Sequence, residues 1–123
     1  MNVDPTSFEP NFPVGGLGGQ DAKRYAATLR QVAVFQMTHG ALPMAERLTR
    51  VALWLDPETG RNWRLRAHCL ARMNNPREAL RLLSQARSRG IGGIGLRDLL
   101  SVGWSFARSG YLAEARKFLL FEK

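Results

Sequence analysis

The sequence predicts an all-α chain built from about three antiparallel helix pairs, and three observations carry that reading. Small residues recur at a near-constant period: Ala45 and Ala79 stand 34 residues apart, and Ala79 and Ala115 stand 36 apart. Five positions before each of them is a residue that tolerates positive φ, namely Gly40, Asn74 and Gly110. Between these marks the apolar residues follow the 3.6-residue period of an amphipathic helix. In "GALPMAERLTRVALWLDP" the residues Ala45, Leu48, Ala52 and Leu55 share one stripe.

The elements follow in order. Residues 1–20, "MNVDPTSFEPNFPVGGLGGQ", hold Pro5, Pro10, Pro13 and four glycines, the composition of a flexible or extended arm. Within it Phe8, Phe12 and Val14 are available to dock on the helices or on a partner. Two acids and no continuous apolar run set this stretch apart from a secretory signal. Residues 21–123 form the helical domain, with units at about 26–59, 60–95 and 96–123. In the first unit Gly40 ends one helix and Pro43 suits the first turn of the next, where its missing N–H costs nothing. Pro57 biases Asp56 away from the α region, so that helix ends near Leu55. The second unit turns at Asn74 and closes in "SRGIGGIG", a helix-ending loop. The third turns at Gly110 and runs into "ARKFLLFEK".

This period and these positions resemble the tetratricopeptide repeat, in which an aromatic, two small residues and a terminal proline recur across 34 residues. Laid on that pattern, the first unit supplies Leu29, Val32, Ala33, Gly40, Ala45, Ala52 and Pro57. The second supplies Trp63, Ala67, Leu70, Asn74, Ala79, Leu83 and Ala86, and the third Leu99, Val102, Gly103, Phe106, Gly110, Ala115 and Leu119. The second unit lacks the terminal proline, and the third has Glu122 where a small residue is usual. The resemblance implies a short right-handed superhelical array whose first helices face a concave groove.

By that resemblance the groove carries Arg30, Val34 and Met37 from the first unit. It carries Arg61, Arg64, His68 and Arg72 from the second, and Arg97, Leu100, Trp104 and Arg108 from the third. Such a groove is basic with apolar and aromatic interruptions. The family's carboxylate clamp wants Lys and Asn where this chain has Arg64 and His68, which argues against a heat-shock co-chaperone. A second apolar contact is expected at Phe118, Leu119, Leu120 and Phe121, which cannot all face one neighbouring helix.

The net charge is +8 and the sequence pI about 11.0, with arginine far outnumbering lysine. Guanidinium favours bidentate contacts to carboxylate or phosphate, so a locally acidic partner is expected. Cys69 is the single cysteine, which excludes an intramolecular disulfide and a multi-cysteine zinc site and suits a reducing compartment. No membrane span is visible. "GIGGIG" matches a dinucleotide fingerprint only formally, because a helix rather than a strand precedes it. His68 and Cys69 are adjacent and point about 100° apart on a helix, so they do not converge on a metal. His39 stands beside the helix-ending Gly40. No nucleophile, base and orienting residue assemble, so the reading is a non-enzyme without metal or cofactor.

A small chain with an abbreviated array and such a groove is similar to the small type III secretion chaperones of the YscY and YscG families. The stretches "AERLTRVALWLDPE" and "RLRAHCLARMNNPREAL" carry that likeness. It implies a cytoplasmic protein, peripheral at the export apparatus, that holds a small needle-type or early export subunit, or a co-chaperone, as a heterodimer. Two alternatives stand beside it. A helical repeat that binds nucleic acid would account for the charge, although aromatic stacking platforms are few. A generic scaffold or homodimer would use the apolar last helix for self-association.

Overall fold

The structure, a computed structural model, describes residues 19–119. It is all-helical: α1 (Gly19–Thr38), α2 (Leu42–Leu55), α3 (Gly60–Arg72), α4 (Pro76–Ser88), α5 (Leu96–Arg108) and α6 (Leu112–Leu119). Helix α1 packs on α2, α3 on α4 and α5 on α6, which makes three hairpins. Helix α3 also touches α1, α2 and α5, and so joins the three hairpins into one body.

The expected punctuation is present in detail. Helix α1 closes with the Ala41 N–H donating to the Gln36 carbonyl at 2.8 Å and the Gly40 N–H donating to Met37 at 3.1 Å. That pair of bonds is the Schellman motif, which satisfies end carbonyls provided that one residue enters the left-handed region. Gly40 does so at φ 81°. The same two bonds recur after α3 at Asn74, after α4 at Gly90 and after α5 at Gly110. Asn74, at φ 60°, is the one non-glycine among the described residues to take this conformation. Helix α2 ends otherwise: the Asp56 N–H donates to the Ala52 carbonyl, and Pro57 then prevents continuation.

Ala45, Ala79 and Ala115 occupy equivalent places one turn into the second helix of each hairpin, and all three are buried. Their small side chains let the paired helices approach closely. The main core lies between the second and third hairpins, around Leu53, Trp63, Leu70, Leu83, Val102 and Phe106. A smaller cluster of Ala33, Met37, Ala45 and Cys69 ties the first hairpin to α3. The loop after α4 has a packing role. Gly60, at the start of α3, lies so close to the carbonyl oxygen of Gly92 that a Cβ at position 60 would collide with it.

Helix α1 begins at Gly19, inside the stretch expected to be an arm and ahead of the expected unit start near Ala26. Asp21 in its first turn complements the helix dipole. The expected contact at Phe118–Phe121 falls at the edge of the described residues. Leu120 and Phe121 lie outside them, and Phe118 and Leu119 enter only as backbone of α6. Among the described residues no helix is long and apolar enough to cross a membrane.

Candidate functional site

Between α1 and α3 the surface opens into a recess of about 490 Å³ lined by Arg30, Gln31 and Val34 from α1 and by Arg61, Arg64, Leu65 and His68 from α3. Arg30, Val34, Arg61, Arg64 and His68 were expected on one groove by resemblance, and the structure brings these five together. Gln31 and Leu65 were missed. Each stands one helical turn from an expected residue, Leu65 from Arg61 and Gln31 from Val34, so only the packing of the two helices reveals them.

The arginines of this face divide by what they touch. Arg30 donates to Asn62 Oδ1 at 2.9 Å, and Arg64, 34 residues later, donates through Nε to Asp98 Oδ1 at 3.1 Å. Arg72 donates to the Met37 carbonyl at 3.2 Å, and Arg108 to the Ala71 carbonyl at 3.2 Å. Each hairpin therefore holds the next by the same two devices. One is a guanidinium near the middle of a first helix that reaches a side chain at the start of the following first helix. The other is a guanidinium at the end of a first helix that caps the carbonyl end of the preceding one. Arg61 and Arg97 make no side-chain bond or ion pair among the described residues, and both are exposed.

Asp98 is the residue on which the second junction turns, and sequence reasoning passed over it. It is 1% exposed. Its Oδ1 accepts from Arg64 and from His68 Nε2 at 2.8 Å, and its Oδ2 accepts from the Gly95 N–H at 2.8 Å, closing the first turn of α5. Burial pushes the carboxyl pKa up, but the Gly95 N–H, His68 and Arg64 together outweigh it and leave the group below its ordinary value. With Asp98 ionised, His68 Nε2 is the proton-bearing nitrogen in this contact. One signal was available: Asp98 falls at the N3 position of a helix that begins after Gly95, where an acid is favoured.

Glu46 is a second buried acid, paired with Arg50 at 2.6 Å and with Arg66 at 2.9 Å. Burial works against its charge, and the two arginines reverse the balance so that its pKa lies below normal. Cys69 is buried, and its thiol faces the Leu42 carbonyl at 3.6 Å. Burial first, and the Glu46 carboxylate second, push that thiol up to about 11, so it is neither thiolate nor accessible near neutral pH.

The remaining expected groove residues lie elsewhere. Met37 is 8% exposed and packs with Ala33, Ala45 and Cys69, because it continues the Ala26, Ala33 stripe of α1 rather than the face of Val34. Arg97, Leu100, Trp104 and Arg108 are on α5, outside the recess, where Trp104 is 58% exposed. Among the described residues no three His, Cys, Asp or Glu side chains gather as a metal site.

Fold and site together define an all-helical protein of three hairpins with an open cationic and apolar recess between two first helices. No family model, curated protein or solved structure matches the chain.

Proposed function

We propose that the chain is a non-enzymatic, tetratricopeptide-like binding module whose recess receives an acidic and apolar segment of a protein partner. The observation that carries this is the lining itself. Arg61 has no acceptor among the described residues, Arg30 meets only a neutral amide, and Val34 beside them is 47% exposed. Guanidinium groups next to an exposed aliphatic side chain suit a carboxylate and a neighbouring apolar side chain on one ligand. The repeat reading draws support from the 34- and 36-residue spacing, the recurring Schellman turns and the repeated junction bonds. The partner class we propose is a small export or needle-type subunit held in the cytoplasm before type III secretion, in the manner of YscY- and YscG-like chaperones. Exposed Trp104 on α5 is a second anchor for such a partner.

The test is native mass spectrometry of the protein from its own cells at moderate salt, with absorbance read at 260 and 280 nm. A stoichiometric small protein, lost in Arg61→Glu, supports the reading. Nucleic acid released at high salt, or a clean homo-oligomer, replaces it.

A further inference from the structure

His68 has two ring nitrogens, and the fold uses one of them. Its Nε2 donates to Asp98 Oδ1 at 2.8 Å, inside the second junction, where Asp98 is 1% exposed. Nδ1 lies on the other side of the ring and has no hydrogen-bond partner among the described residues. The side chain is 28% exposed and lines the recess together with Arg30, Arg61, Arg64, Val34 and Leu65. Because the ionised Asp98 keeps the proton of the neutral ring on Nε2, Nδ1 then carries a lone pair, which repels a carboxylate. A second proton turns the same atom into a charged donor. We propose that His68 makes binding at the recess proton-linked: an acidic segment binds with a carboxylate on the Nδ1–H of the imidazolium, and loss of that proton weakens the complex.

The groups around the ring support this. Arg30 reaches the recess from α1, and Arg61 and Arg64 from α3. These three guanidinium groups, less the Asp98 carboxylate, leave two positive charges, and a protonated His68 makes a third. Histidine is the side chain that takes up a proton between about pH 8 and pH 5. Arg72, one turn further along α3, is held on the Met37 carbonyl, and Arg108 of α5 on the Ala71 carbonyl. The other acids nearby are engaged elsewhere: Glu46 of α2 with Arg50 and Arg66, Asp56 with Thr59, Glu58 with Lys23, Glu78 of α4 with Arg81, and Glu114 of α6 with Arg77. Asp98 is thus the carboxylate on the ring. Arg97 on α5 is exposed and offers a further cationic position, but it is not part of the lining, so a carboxylate held there has no dependence on His68.

The inference rests on the proposed acidic and apolar occupant of the recess and adds a proton to it. The two fail differently. Binding that ignores pH overturns the inference alone, whereas no binding at any pH overturns both.

The experiment uses the full chain, with the peptide acetyl-Glu-Leu-Glu-amide as the probe. Nitrogen-15 NMR of the free protein at pH 8 reads the neutral ring of His68; we expect the proton on Nε2, and a proton on Nδ1 would overturn the proposal. The peptide is then titrated into the millimolar range at pH 5.5 and at pH 8, at equal ionic strength. Asp98 and the peptide carboxylates are ionised at both values. We expect binding about fivefold tighter at pH 5.5, the upper end for one partly exposed charged contact. In His68→Gln, which keeps an N–H for Asp98, that ratio should fall to about one. Equal affinities for the unaltered chain, or a ratio that survives in His68→Gln and so belongs to His39 or another group, would each overturn the proposal.

Discussion

The two junctions between hairpins are built alike and differ in one charge. At the first, Arg30 meets Asn62; at the second, Arg64 meets Asp98. Both receiving side chains are 1% exposed and both also tie down backbone, Asn62 through Nδ2 to the Asp56 carbonyl at 2.8 Å and Asp98 through Oδ2 to the Gly95 N–H. The consequence is electrostatic. A neutral amide orients Arg30 without cancelling its charge, whereas the carboxylate of Asp98 compensates Arg64. The same geometry thus yields a cationic recess beside the first junction and a neutralised seam at the second.

The largest effect should come from breaking the charged junction. Asp98→Ala removes the acceptor for two donors and the closure of α5, and should lower unfolding free energy by about 3 kcal/mol in urea titrations. Asn62→Ala breaks the neutral junction and should cost about 1–2 kcal/mol in the same assay, since no buried charge loses its partner. Equal losses would erase the distinction between the junctions.

Acid sharpens the contrast further. The folded pKa values of Asp98 and Glu46 lie below their ordinary values, so their contribution is present above about pH 4 and is lost as pH falls through the folded values. The Arg30–Asn62 contact has no group that titrates there. Asp98→Asn should therefore flatten the decline of the urea midpoint between pH 6 and pH 3, while Asn62→Ala should leave that slope unchanged. The smallest effect on stability belongs to Trp104→Ala. Its ring stands mostly in solvent, so the loss should stay within about 0.5 kcal/mol, with any larger change reserved for partner binding.

Much of the fold was legible because local chemistry dictates it. Gly40, Asn74 and Gly110 mark turns that demand positive φ, Pro57 stops α2, and Ala45, Ala79 and Ala115 sit where helices must approach. The recess was legible only in part. The repeat resemblance placed Arg30, Val34, Arg61, Arg64 and His68 on one groove, but which guanidinium is spoken for depends on contacts 32 to 37 residues away in sequence. Asp98 was overlooked because a single acid in a first turn reads as a surface residue until α3 is packed over it. Met37 was misplaced because α1 turns its Ala33 side to α2 and α3, which a lone helix does not reveal.

The central claim is that the arginines lining the recess split into two that also bond across a hairpin junction, Arg30 and Arg64, and one that does not, Arg61. Urea unfolding of Arg64→Gln and Arg61→Gln, side by side at pH 7, tests it most directly. With allowance for the partial exposure of Arg64, the account predicts a loss of about 1–2 kcal/mol for Arg64→Gln and less than about 0.5 kcal/mol for Arg61→Gln. Equal losses, or a larger one at Arg61, would contradict it.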